Sequence, residues 1–299
     1  MATITQEVYL PRTDGGVPRW LLWLRSFASR KPIAAASAVV LIVICLLAIL
    51  APVIQKQPPN EQNLSERLAE PSWAHPLGGD ELGRDEWSRL VNGARYSLGA
   101  GILATAFGVG VGIIIGLISG YAAGVVDLIL QRIMDAIMAL PPLILLMVLG
   151  STLDQNFRNV IFAIAIFVSP GTARVIRGSV LSIKEMAFVE AARALGASPP
   201  RLVFRHILPN TFAPVIVVTS ITVGSVIIIE AALGWLGLSV RIPTATWGNM
   251  LNTGSQKWEL APILALAPGL AIVTTVFAIN LLGDGLRDVL DPRLRGKGK

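Results

Sequence analysis

Reactive and metal-ligating side chains are scarce in this chain. The single cysteine, Cys45, lies inside an apolar run, which excludes an intrachain disulfide and a cysteine metal site. The two histidines, His75 and His206, stand far apart, so the sequence offers no histidine ligand cluster. No Gly-x-x-x-x-Gly-Lys-Ser/Thr run is present, so the chain has no phosphate cradle of its own for ATP. Neither Gly-x-Ser-x-Gly nor His-Glu-x-x-His occurs. The neighbouring acids Asp80-Glu81 and Asp85-Glu86 sit beside glycine turns, where helix caps are a simpler reading than an acid/base dyad. Aromatic residues are not interleaved with basic ones, which argues against a nucleic-acid surface. Fixed-period repeats and low-complexity tracts are missing too. Chemistry has to come from a partner.

What the chain has in abundance is apolar sequence. Apolar residues make up 53% of it and the mean hydropathy is +0.65, too high for a soluble domain of this size. They come in blocks, which predicts an all-α polytopic membrane protein. Six transmembrane helices are expected at about 33–54, 96–119, 128–150, 159–180, 212–233 and 262–282. The lead of residues 1–32 carries Arg12, Arg19, Arg25, Arg30 and Lys31, which places it in the cytoplasm. Within it Trp20-Leu21-Leu22-Trp23-Leu24 suits a short helix at headgroup level, and the first span that follows reads as a retained anchor rather than a secretory signal. The basic end (Arg293, Arg295, Lys297, Lys299) is cytoplasmic by the same rule, in agreement with an even number of spans.

The chain therefore divides into a cytoplasmic segment 1–32, a first span 33–54, an extracytoplasmic segment 55–95, a five-helix core 96–283 and a cytoplasmic tail 284–299. In the extracytoplasmic segment, His75 to Asp85 is dense in turn formers, and Asp85 is placed to cap a helix running to about Arg95. The glycines from Gly99 to Gly120, at three- and four-residue intervals, predict a tight helix-packing seam. Pro141-Pro142 interrupts the third span and frees backbone carbonyls, as a kink lining a pathway would; the fourth carries Ser169-Pro170-Gly171, and Pro170 joins the candidates for the pathway or gate. Arg174 and Arg177 are expected at the cytoplasmic end of that fourth span, snorkelling or pairing with a neighbouring subunit. Glu230 in the fifth span is expected to face protein or water. Trp235, Trp247 and Trp258 are read as interface markers.

A polar island, 181–210, breaks the apolar pattern. Phe188 to Leu195 favours helix, Gly196 stops it, and Ser198 with Pro199 opens a second short helix whose apolar face is Leu202, Val203, Ile207 and Leu208. A helix-turn-helix elbow outside the bilayer is predicted. Its Glu190-Ala191-Ala192-Arg193, with Gly196 and then Leu208-Pro209 in register, resembles the cytoplasmic coupling loop of ABC importer permeases. One position departs: His206 stands where an apolar residue is usual, three before the proline.

The 75–85 stretch, Gly-Trp-Leu-Gly-Leu at 234–238, Pro-Thr-Ala-Thr-Trp-Gly-Asn-Met at 243–250 and the 283–293 tail resemble the second (C-type) permease subunit of dipeptide and oligopeptide importers. The resemblance implies a type I ABC importer permease fold in the bacterial inner membrane. It implies a second homologous permease, two ATP-binding subunits or one with two ATPase domains, an extracytoplasmic binding protein, and ATP with Mg on those partners only. It also implies that Glu190, Ala191, Ala192, Arg193, Gly196, Leu208 and Pro209 dock on the ATPase. Relatives on this scaffold carry nickel complexes or glutathione as well as peptides. An ion-coupled secondary transporter is the other class; it would need paired intramembrane acids, for which Asp135 and Glu230 are the candidates.

Overall fold

Asp85 starts the longest helix of the protein. In the computed structural model, which describes residues 19–290, its carboxylate accepts a hydrogen bond from the Ser88 backbone N–H at 2.8 Å. The order of helices is α1 (Arg19–Arg30), α2 (Pro32–Ile49), α3 (Ala51–Ile54), α4 (Glu86–Ala122), α5 (Gly124–Ala139), α6 (Pro142–Thr152), α7 (Phe157–Ile183), α8 (Ala187–Ala194), α9 (Pro199–Arg201), α10 (Phe212–Trp235), α11 (Trp247–Ser255) and α12 (Ile263–Leu290). No strand occurs among the described residues; Gly79 and Asp85 form an isolated bridge.

Among the described residues five helices are long and apolar enough to cross a membrane: α2, α4, α7, α10 and α12. Counted as one span, the pair α5 and α6, bent by 90° at Leu140-Pro141, makes six. The sequence placed a kink there; the structure makes it an elbow. A second departure is α4. The expected separate helix of 86–95 is continuous with the span, giving 37 residues and a rod of about 55 Å. Nothing between Asp85 and Ala122 stops a helix, and its glycines, Gly110 excepted, are packed against neighbouring residues. The first span, expected unbroken over 33–54, is divided at Leu50 before Pro52, and the helix of the last span runs on past 283 through Leu290. The basic residues Arg12, Arg293, Arg295, Lys297 and Lys299 lie outside the described residues.

Contacts along the helices give the topology. Gly108 of α4 meets Val168 of α7 and Gly120 meets Val180, so these two run parallel, and α5 with α6 brings the chain back between them. Gly224 of α10 faces Asn280 of α12 and Gly283 faces Ser220, so that pair is antiparallel. Gly285 lies against Ala34 of α2, and Lys31 pairs with Asp288 at 2.5 Å. The segment 184–211 and the helix ends at Lys31 and Asp288 therefore share one end of the bundle, hereafter the loop end. Residues 55–85 cover the opposite, cap end, where Trp87 Nε1 donates to the Ile54 carbonyl at 3.2 Å.

The expected packing seam is there. A Cβ on Gly108, Gly112, Gly116 or Gly120 would stand 2.6–2.8 Å from α7 atoms. Trp247, expected at the interface, is instead buried, its indole N–H donating to the Leu90 carbonyl at 3.1 Å. Its cross-chain contact outweighed the tryptophan preference for headgroups; Trp235 and Trp258 are exposed.

Candidate functional site

The island forms a compact elbow at the loop end. Val189 of α8 points inward with Leu202 and Ile207, against Leu117 of α4 and Ile176, Val180 and Ile183 of α7. α8 ends as its composition predicts. Gly196 takes φ +82°, its N–H bonds the Arg193 carbonyl, and the Ala197 N–H reaches the Ala192 carbonyl, both at 3.0 Å. Ser198 holds the N-cap place of α9, with Pro199 behind it, but its side chain makes no capping bond. The expected second helix is short: α9 widens into a π turn over Leu202–Ile207 and closes as a 3-10 turn over Leu208–Thr211. Pro209 explains the widening, because it has no N–H to give to Arg205 and its ring crowds that carbonyl. Asn210 Nδ2 instead bonds the His206 carbonyl at 2.6 Å.

The outer face of the elbow is bare. Glu190, Ala191 and Arg193 are exposed, Leu195 is 89% exposed and Phe204 67%, while Ala192 is half-buried against the inward cluster. Leu208 is half-buried and Pro209 exposed. Among the described residues Glu190 and Arg193 have no ion pair. Apolar tips and unpaired charges of both signs thus share one small surface.

Beneath the elbow lies a polar cluster that the sequence reading missed. Asp127, in the first turn of α5, takes a two-pronged grip from Arg177 of α7, with Nε–Oδ1 2.6 Å and Nη2–Oδ2 2.5 Å. Ser119 near the end of α4 donates to the same carboxylate and accepts from Gln131 Nε2 at 2.8 Å. Lys184 reaches the Gly120 carbonyl at 3.1 Å. Arg174 pairs with Asp135 at 2.5 Å. The two arginines were expected to snorkel or to meet a neighbouring subunit; the structure pairs both within the chain. The available signal was charge balance, two acids in one amphipathic segment and two arginines three apart in the next.

The other candidates are dispersed. Pro141 and Pro142 sit exposed at the elbow of α5 and α6. Pro170 is buried inside α7. Glu230 is buried, accepting from the Ser239 hydroxyl at 3.0 Å with Ser97 beside it, so it faces protein. Asp135 and Glu230 do not meet, which leaves the ion-coupled reading without its paired acids.

At the cap end, His75 lies between two carboxylates, 3.0 Å from Asp85 and 3.1 Å from Glu66. Burial pulls its pKa down, but the hydrogen bonds to Asp85 and Glu66 more than offset this and the net shift is upward. Asp80 gathers Arg84 at 2.6 Å and Arg89 at 3.5 Å. The 75–85 stretch therefore anchors the cap on the first turn of α4.

Comparison with known proteins fits this geometry. Residues 112–296 match the family described as binding-protein-dependent transport system inner membrane component. Residues 19–71 match the N-terminal transmembrane domain of oligopeptide transport permease C. The glutathione transport system permease protein GsiD of Escherichia coli is 41% identical over 281 residues, covering 93% of this chain and 91% of that protein. The protein of that name from Pectobacterium atrosepticum is 39% identical over 277 residues, 92% of each. A chain of the MetNI methionine ABC transporter, solved in inward-facing conformations, shares the fold with TM-score 0.56 and 19% identity, over 68% of this chain and 96% of that one. Six crossings, an elbow between the fourth and fifth, and these matches lead to one conclusion: the chain belongs to the inner-membrane permeases of binding-protein-dependent ABC importers, of the dipeptide/oligopeptide type.

Proposed function

We propose that this permease forms, with a second homologous permease, the pathway for short peptides, glutathione among them. Permeases of this family work with ATP-binding subunits and a binding protein. In our reading two ATPase subunits, or one with two ATPase domains, hold ATP and Mg and do the hydrolysis, an extracytoplasmic protein delivers the peptide, and this chain binds no cofactor. Both termini and the loop end face the cytoplasm. The observation that carries the reading is the bare elbow: α8 is fixed from behind by Val189, Leu202 and Ile207, while its outer face carries unpaired charge and exposed apolar tips.

Glu190, Ala191, Ala192 and Arg193 would enter the ATPase groove. The alanines allow close approach, the charges set orientation, and Gly196 with Leu208 and Pro209 fixes the elbow. ATP-driven closure of the ATPase pair would move the elbow and switch the pathway between outward- and inward-open. Pro141 and Pro142 are our gate, placed where α5 and α6 bend; Pro170 and Glu230 support it from inside the bundle. The GsiD relatives favour glutathione over longer peptides as the first substrate to test.

The test is uptake of radiolabelled glutathione and of di- to hexapeptides by cells lacking this gene and by the same cells complemented. The reading holds if uptake returns with the wild type and fails with Gly196→Pro at equal membrane abundance. Unchanged glutathione and peptide uptake on deletion overturns the substrate class.

A further inference from the structure

α5 is held to the rest of the chain almost wholly by charge. Of its sixteen residues only Met134 is buried, and α6 beyond the elbow buries only Leu146. Leu146 seats α6 in the core with Leu149 beside it, whereas apolar packing gives α5 little purchase on α4 and α7. What grips it is Asp127 held by Arg177, Ser119 and Gln131 beside them, and Asp135 held by Arg174 eight residues along. Arg177 lies six residues before the end of α7, about 9 Å from the elbow at helical rise. Lys184, the first residue past α7, ties the same corner to the Gly120 carbonyl of α4.

We propose that the Asp127–Arg177 pair is the joint that makes α5 follow α7 when the coupling elbow of 184–211 moves. The pair is two-pronged, so it fixes angle as well as distance. Asp127 is 15% and Arg177 34% exposed, so the pair is partly shielded and screened less than a fully exposed surface pair. Asp127 also sits at the positive end of α5, which adds to its hold. Rigid helices α4 and α7, locked by the glycine seam, would carry the displacement. α5, with little apolar packing of its own, would take it up chiefly through this two-pronged corner, the single-pronged Asp135–Arg174 contact coming second, and would hinge from α6 at Pro141-Pro142. Asp127 and Arg177 are positioning residues: neither is placed to touch nucleotide.

This rests on the proposed docking of the elbow to an ATPase, and the experiment separates the two. The complete transporter is reconstituted in proteoliposomes, with Asp127→Asn/Arg177→Gln as the main variant, because it removes the joint without leaving an orphaned charge. Arg177→Lys, which keeps the charge and loses the second prong, is the milder companion. ATP hydrolysis and uptake of radiolabelled glutathione are measured together, and the distance between spin labels on α5 and α8 is measured with and without trapped ATP.

For the double variant, uptake falls about tenfold while ATP hydrolysis continues, so more ATP is spent per molecule imported. Arg177→Lys lies between it and the wild type. In the wild type, α5 keeps its distance from α8 across the cycle; in the double variant it does not. Uptake and hydrolysis falling in the same proportion, or an unchanged α5–α8 distance in the double variant, overturns the joint. If the wild type imports no glutathione, the substrate reading fails and the label distances still decide the joint.

Discussion

A Cβ added at Gly116 of α4 would stand 2.7 Å from the carbonyl oxygen of Ala173 in α7. Gly108, Gly112 and Gly120 face α7 in the same way, each about one turn from the next. Lipid tails are as apolar as leucine, so close packing rather than burial from water must hold these helices together. Gly112→Val or Gly116→Val is expected to cost about 1–3 kcal/mol by overpacking. The check is a thermal melt of the detergent-purified protein beside Gly110→Ala, whose added methyl meets nothing within 4 Å. An equal loss at Gly110 would show that the glycines matter for something other than the seam.

The cap end carries a pH dependence. His75 has a raised pKa because Asp85 and Glu66 together outweigh its burial, so the folded protein keeps the imidazolium to a higher pH than the unfolded chain. This stabilisation is complete below the ordinary histidine value of 6.5 and is lost as pH rises through the folded value. Melting temperature is expected to fall as pH is raised from mildly acidic to mildly alkaline, and His75→Asn is expected to flatten that slope. A slope identical in the variant assigns the effect to other groups.

Leu195 offers a cleaner probe of docking than the residues around it. It is 89% exposed and no part of this chain's core depends on it. Leu195→Glu is expected to leave the melting temperature of the isolated subunit unchanged. The same variant is expected to weaken association with the ATPase by more than about 1 kcal/mol, roughly fivefold in affinity. Co-purification of the subunits and their titration in detergent measure this. Unchanged affinity places the ATPase elsewhere.

Local signals in the sequence were readable and distant ones were not. Asp85 as a cap, Gly196 as a stop and Pro199 as a first helical residue are each fixed by their own neighbours, and all three stand where expected. The inward face of the elbow followed from the spacing of Leu202 and Ile207. The partners of Arg174 and Arg177 lie 39 and 50 residues away, so periodicity carries no trace of them. Trp247 misled for the same reason: its hydrogen-bond partner Leu90 is 157 residues distant. The unbroken α4 was missed because its polar first turns read as a separate helix, although nothing in the chain ends it before Ala122.

Gly196 tests whether the shape of the elbow matters apart from its chemistry. Its φ of +82° is unfavourable for any side chain, yet an added Cβ would meet nothing within 4 Å, so conformation alone restricts the position. Asn tolerates the left-handed region, Ala pays about 1–2 kcal/mol there, and Pro is locked near the opposite φ. Pro would also remove the N–H that bonds the Arg193 carbonyl. Uptake at equal membrane abundance is therefore expected to fall in the order Gly, Gly196→Asn, Gly196→Ala, Gly196→Pro, with the last inactive. A contact-based requirement would instead rank the variants by size and make Asn worse than Ala. That reversed order would move the role of Gly196 from the turn it makes to a surface it leaves open.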